Sequence, residues 1–339
     1  MRAASLTGSV LTLLVTLALA PGCSDAGAGA GETAASDPDA PEPGEELGVG
    51  REAVDDGVVA RELVDLGSMV KLATPAAGTG AGYIMHWGDG TSESARIEAS
   101  ADGTLTPLVE VAEDAADAPS GTAEASGSAA SRAAPNACTD KAHSLFGFRW
   151  AQTYAWSFLS ASTPKALSIG KVEGALKRAA VNITSGRTNC NRTSHVAAKG
   201  SYLGRTKSKP NIRVSGSNVI CDTSDGKNVV AFGALPGKLL GITCVYWTVT
   251  AAGKRIGVEA DMRLDSERRW FTTATVPAGC SNRYMIEGTA THEFGHAFGL
   301  GHVSESAHGN LTMSTMAGAC TTRDASLGLG DVLALEKLY

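Results

Sequence analysis

Aromatic residues are scarce, at 5% of the chain, and charged residues make up only 19%. Neither sign of charge dominates: 29 lysines and arginines stand against 35 aspartates and glutamates, a formal net charge of -6. Without a basic excess there is no electrostatic footprint for nucleic acid, and that partner class is set aside. The apolar run at residues 10–20 is too short to span a bilayer as a mature helix, which needs about 20 residues. No Gly-rich phosphate fingerprint and no serine-elbow pattern occurs, so neither nucleotide chemistry nor a serine hydrolase is indicated. What remains is a chain of 339 residues with 7 cysteines and 7 histidines, unevenly distributed.

The N-terminus reads as an export signal over residues 1–22. Arg2 supplies a short positive region, residues 10–20 an apolar one, and Pro21-Gly22-Cys23 follows at once. Two kinds of processing fit. Ala18-Leu19-Ala20 suits ordinary signal cleavage, whereas Ala20-Pro21-Gly22-Cys23 resembles a lipobox with Cys23 as the acylated residue. Membrane attachment is expected only through that anchor, so the mature protein is a cell-envelope lipoprotein or extracellular. Without Cys23 the other six cysteines form an even set, Cys138, Cys190, Cys221, Cys244, Cys280 and Cys320. In an oxidising compartment this suggests three disulfides. Count alone leaves the connectivity open; neighbour pairing (138–190, 221–244, 280–320) is preferred because each closes a modest loop.

Composition divides the rest. Residues 23–49 hold little but Gly, Ala, Pro and acids and predict a disordered tether. Residues 50–135 read as a prosegment or small accessory module ending in a low-complexity linker. Within them residues 52–66 show weak helical periodicity, and residues 83–87 and 95–99 read as strands around Gly88-Asp89-Gly90. Residues 136–339 collect most aromatics and patterned apolar residues and predict one monomeric α+β domain. Strands are expected at 146–150, 153–156, 211–215, 229–232, 244–250 and 256–264. Helices are expected from Thr163-Pro164, over 284–298, and over 328–339 with Asp331 near its start.

The chemistry sits in His292-Glu293-Phe294-Gly295-His296-Ala297-Phe298-Gly299-Leu300-Gly301-His302. Residues four apart share a helix face, so His292 and His296 aim at one point. Gly299 can take a left-handed conformation, end the helix and turn the chain so that His302 returns as a third ligand. Three imidazoles and an open position describe a catalytic rather than a structural zinc site. Glu293 is placed as the general base for attack by a zinc-activated water.

This motif, with a methionine downstream, resembles the metzincin zinc metallopeptidases, closest to bacterial matrixin-like secreted peptidases. The resemblance implies a Met-turn below the metal, at Met313 with Met316 as the alternative. It also implies an N-terminal mixed sheet, a zinc helix, and a C-terminal helix after the Met-turn. Family substrates add an extended strand to the sheet edge, and residues 258–264 look like that edge. No upstream Pro-Arg-Cys-Gly switch occurs, and Cys138 stands in a different context. Calcium at Asp261 and Asp265 is a further metal reading; His308 reads as a loop residue, and His86, His143 and His195 lack partners at ligand spacing and read as structural or exposed. The expected activity is endopeptidase action on protein or peptide substrates. A peptidoglycan-peptide hydrolase using the same site and a non-catalytic, zinc-stabilised surface-binding lipoprotein are the alternatives.

Overall fold

Alternation of side chains across the pleat builds the sheets. The computed structural model describes residues 49–50, 63–66, 68–88, 92–112 and 136–339. The signal peptide, Cys23, the tether, residues 52–62 and the low-complexity linker lie outside the described residues, apart from Val49–Gly50. Counting strands of three residues or more, the N-terminal part holds β1 (Leu63–Asp65), β2 (Val70–Ala73), β3 (Thr79–Trp87), β4 (Ser92–Ala99) and β5 (Leu105–Ala112). The rest holds β6 (Tyr154–Phe158), α1 (Ile169–Thr184), β7 (Gly200–Arg205), β8 (Ile212–Ser215), β9 (Asn218–Cys221), β10 (Asn228–Gly233), β11 (Leu239–Val249) and β12 (Arg255–Asp265). Four-residue α3 (Glu305–His308) lies between α2 (Ile286–Ala297) and α4 (Leu329–Leu338).

The main sheet runs β5-β4-β3-β11-β12-β10-β6-β7. From β5 to β12 neighbours are antiparallel; from β12 to β7 they are parallel. A smaller sheet places β2 parallel to β9, so residues 63–112 share both sheets with the later chain. In β3, Ala81, Tyr83 and Met85 enter the core between the two sheets, whereas Ile84 enters the core under the helices. Each fully buried large apolar side chain contributes about 1.5–3 kcal/mol. Trp156, Trp247 and Phe294 anchor the helix-side core.

The disulfides join Cys138 to Cys190, Cys221 to Cys244 and Cys280 to Cys320, the neighbour pairing. Cys221 on β9 and Cys244 on β11 tie the two sheets together. Several expectations need correction. Residues 258–264 are not an edge: β12 has β11 on one side and β10 on the other. Leu63–Asp65 is a strand, not helix, because it pairs with β2. Helix α1 begins at Ile169, since residues 164–167 close a turn of their own, Leu167 N–H donating to the Pro164 carbonyl, and Ser168 is extended. Its buried apolar stripe is Val172, Ala175, Leu176, Ala179, Ala180 and Ile183; Ile169 is exposed. Gly147, at φ 100°, interrupts the strand expected over 146–150, which keeps only the Arg149–Ile256 bridge. Tyr284–Met285 pairs with Trp270–Phe271, so α2 starts at Ile286.

Candidate metal centre and active site

Helix α2 is buried along its whole length, so it packs on all sides rather than along one stripe. That enclosure is possible because the helix carries little bulk. A Cβ at Gly295 would lie 2.4 Å from Met313 Sδ, so the missing side chain admits the methionine against the helix. His292 and His296 share a face one turn apart. Gly299 ends the helix at φ 90°, and a Cβ there would lie 2.3 Å from the Phe148 carbonyl oxygen. Only glycine meets both demands. Leu300–Gly301 then pairs antiparallel with Ser144–Leu145, which returns the chain and brings His302 to the other two histidines.

The three Nε2 atoms converge: 2.9 Å between His292 and His302, 2.9 Å between His292 and His296, and 3.0 Å between His296 and His302. His292 Nδ1–H donates to the Thr312 carbonyl at 2.7 Å, and His296 Nδ1–H donates to the Leu300 carbonyl at 3.0 Å. These bonds put the protons on Nδ1 and leave lone pairs on Nε2. Lone pairs facing one another this closely repel unless a cation lies among them. The donor set, imidazole nitrogens with backbone partners behind them, fits zinc.

The Thr312 carbonyl is itself held. Asp331, the third residue of α4, accepts from Thr312 N–H at 2.9 Å, Met313 N–H at 3.3 Å and Gly328 N–H at 2.8 Å. A helix-capping carboxylate thereby clamps the turn that orients His292. Met313 is buried in the core beneath α2. Met316 contributes backbone instead: its carbonyl accepts from Arg323 Nη2 at 2.8 Å, and it bridges Trp87 in parallel.

Glu293 is fully buried, and burial pushes its carboxyl up to about 7. Thr243 on β11 donates its hydroxyl to Glu293 Oε2 at 2.7 Å. Neighbouring Gly241 leaves room for the carboxylate, since a Cβ there would lie 2.4 Å from Oε1. Oε1 makes no hydrogen bond and lies 3.5 Å from His86 Nδ1. His86, from β3, is stacked on His292 with ring centroids 3.7 Å apart, and burial holds it down to about 4.

His86 therefore corrects the sequence expectation of a structural or exposed histidine. Ligand spacing could not reveal it, because a strand pairing between distant segments places it there. Thr243 and Asp331 also escaped: the first carried no motif, and the second was legible only as a helix-start residue. His308 stays away from the metal site and bonds Asp140 Oδ2 at 2.8 Å. His143 lies beside the Lys141 carbonyl, the backbone of His195 donates to Glu336, and Cys138 is in a disulfide. The calcium reading fails at both aspartates. Asp261 accepts from Asn211 N–H and Val229 N–H, and Asp265 from Leu235 N–H and Glu267 N–H, with Arg268 3.0 Å away. Their oxygens are engaged by protein donors.

A comparison of the chain with curated proteins finds no match. Residues 247–339, which carry all three converging histidines and Glu293, match the family model of the matrixins, a metallopeptidase family of the metzincin kind that the histidine motif resembles.

Proposed function

We propose that the chain is a zinc-dependent endopeptidase in which His292, His296 and His302 hold the ion and Glu293 is the general base. The observation that carries this reading is the convergence of three Nε2 lone pairs, with protons held on Nδ1 by backbone carbonyls, next to a carboxylate that has one free oxygen. Zinc bound there would supply Lewis-acid polarisation of a scissile carbonyl and lower the pKa of water from 15.7 to about 7. Thr243 fixes Oε2, which leaves Oε1 to take the proton from the attacking water and return it to the leaving amine. A carboxyl raised toward neutrality is matched to accepting and then releasing that proton. Met313 is the Met-turn residue in this reading, because its side chain lies against Gly295 of the ligand helix while Met316 does not enter the core.

The test uses Glu293→Gln on chains both intact and cut within residues 113–135. We expect one zinc per chain by mass spectrometry in parent and variant, and, in whichever form of the parent hydrolyses peptides, a loss of about 100-fold or more in the variant. Hydrolysis at the parental rate would refute the mechanism. The full burial of Glu293 favours a second reading, a zinc-stabilised binding protein; chelation would then unfold the protein without any activity having been present.

Export with a lipid anchor at Cys23 is proposed on the N-terminal sequence pattern. The three disulfides are consistent with an oxidising compartment. Mass spectrometry of the mature N-terminus tests it: an acyl group on Cys23 supports the anchor, and a free N-terminus beyond Cys23 sinks it.

A further inference from the structure

The face of β11 beside the metal centre is a strand-accepting edge, and it is already filled. We infer that Thr79–Trp87 occupies the peptide-binding surface as a built-in substrate mimic, with His86 as its plug, and that this surface takes an extended peptide antiparallel to β11 when β3 leaves it. What the freed edge would take rests on the peptidase reading; that the edge is blocked does not.

Four observations carry the inference. First, β3 runs antiparallel to β11 from Thr79 opposite Thr248 to Trp87 opposite Leu239. It therefore uses the same backbone groups of β11 that an added peptide strand would need. Second, Trp87 forms a parallel bridge with Met316, beyond the third histidine. At this last residue the strand lies between β11 and the Met316 segment, which flank the site. Third, the side of β3 facing the helices is shaped for this seat. A Cβ at Gly80 would lie 2.3 Å from Trp247, and one at Gly82 would lie 2.8 Å from Phe146. Glycine inside a strand costs stability, so its use at both positions marks a close approach. Fourth, His86 is 1% exposed, yet neither ring nitrogen makes a hydrogen bond. A buried polar group left unpaired costs about 1–3 kcal/mol. An apolar residue at this position would avoid that cost, so stability does not explain the imidazole. Its ring covers His292 and stands beside the free oxygen of Glu293, where an incoming carbonyl and water would have to fit.

The experiment has two arms on the zinc-loaded protein. In the full chain, acetohydroxamate binding is measured for the parent, His86→Ala and His86→Phe. If the open state is about 1% of the population, the parent binds roughly 100-fold more weakly than His86→Ala, and His86→Phe stays as weak as the parent. Equal affinity in parent and His86→Ala overturns the plug. In the second arm a site-specific protease sequence is placed within residues 113–135, the chain is cut, and the N-terminal fragment is removed. Circular dichroism shows whether the remainder is folded. A folded remainder should bind a fluorescent peptide of residues 79–87, and the same peptide with alanine for His86 less tightly. It should also hydrolyse peptides that the uncut chain leaves intact. Binding of the 79–87 peptide without hydrolysis refutes the peptidase reading and keeps the inference. Hydrolysis by the uncut chain at the rate of the remainder refutes the inference and keeps the peptidase reading. If the remainder does not fold, the hydroxamate arm decides.

Discussion

Thr243 illustrates how much of a site one hydroxyl can govern. Its bond to Glu293 Oε2 selects which carboxylate oxygen is free, and it does so from a strand rather than from the motif helix. Thr243→Val keeps the shape and removes the donor. A hydrogen bond to a charged group is worth about 1.5–3 kcal/mol, so kcat for peptide hydrolysis should fall about 10- to 100-fold with zinc content unchanged. An unchanged kcat would mean that Glu293 is positioned by packing alone. The three histidines and Glu293 were legible in the linear sequence because they lie within one helix and the turn that ends it. Thr243, Asp331 and His86 were not, because each reaches the site through a segment remote in sequence.

At the scale of elements, the turn after α2 is the critical joint. Gly299 combines a left-handed conformation with contact against the Phe148 carbonyl, so Gly299→Ala meets both strain and overlap. We expect a loss of about 2–5 kcal/mol in urea unfolding and a fall in zinc content as His302 is displaced. Gly226→Ala is the internal comparison: its φ is 76°, but nothing lies within 4 Å of a Cβ there. Its cost should stay near the conformational term, about 1–2 kcal/mol, with zinc retained. Equal losses at the two positions would show that the Phe148 contact is unimportant. The helices themselves were readable from periodicity, but their first turns were not. Pairing of Tyr284–Met285 with Trp270–Phe271 delays α2, and the separate turn closed from Leu167 to Pro164 delays α1. Periodicity cannot register a backbone partner.

For the whole molecule, the described residues from both halves of the chain form one main sheet, and Cys221–Cys244 staples the smaller sheet to it. The bridge closes a loop with a sequence separation of 23, for which the chain-entropy argument gives roughly 3 kcal/mol. Replacing both cysteines by alanine should lower unfolding stability by about that amount and leave zinc binding intact. Loss of zinc together with the bridge would show that the inter-sheet clamp also positions β11 against α2.

The sequence alone determined that His292, Glu293 and His296 share one helix and that Gly299 ends it, since a helix repeat and one left-handed residue are local properties of the chain. It also indicated the disulfide pairing through the even count and the modest loops. Tertiary structure decided which strand is an edge. Residues 258–264 carry an extended pattern that suits an edge, but β10 pairs with residues 262–265 on the other side and makes β12 an interior strand. It decided equally that β3 covers the face of β11 and sets His86 against His292. Strand order is settled by hydrogen bonds between segments far apart in the chain, and no periodicity within either segment records its partner.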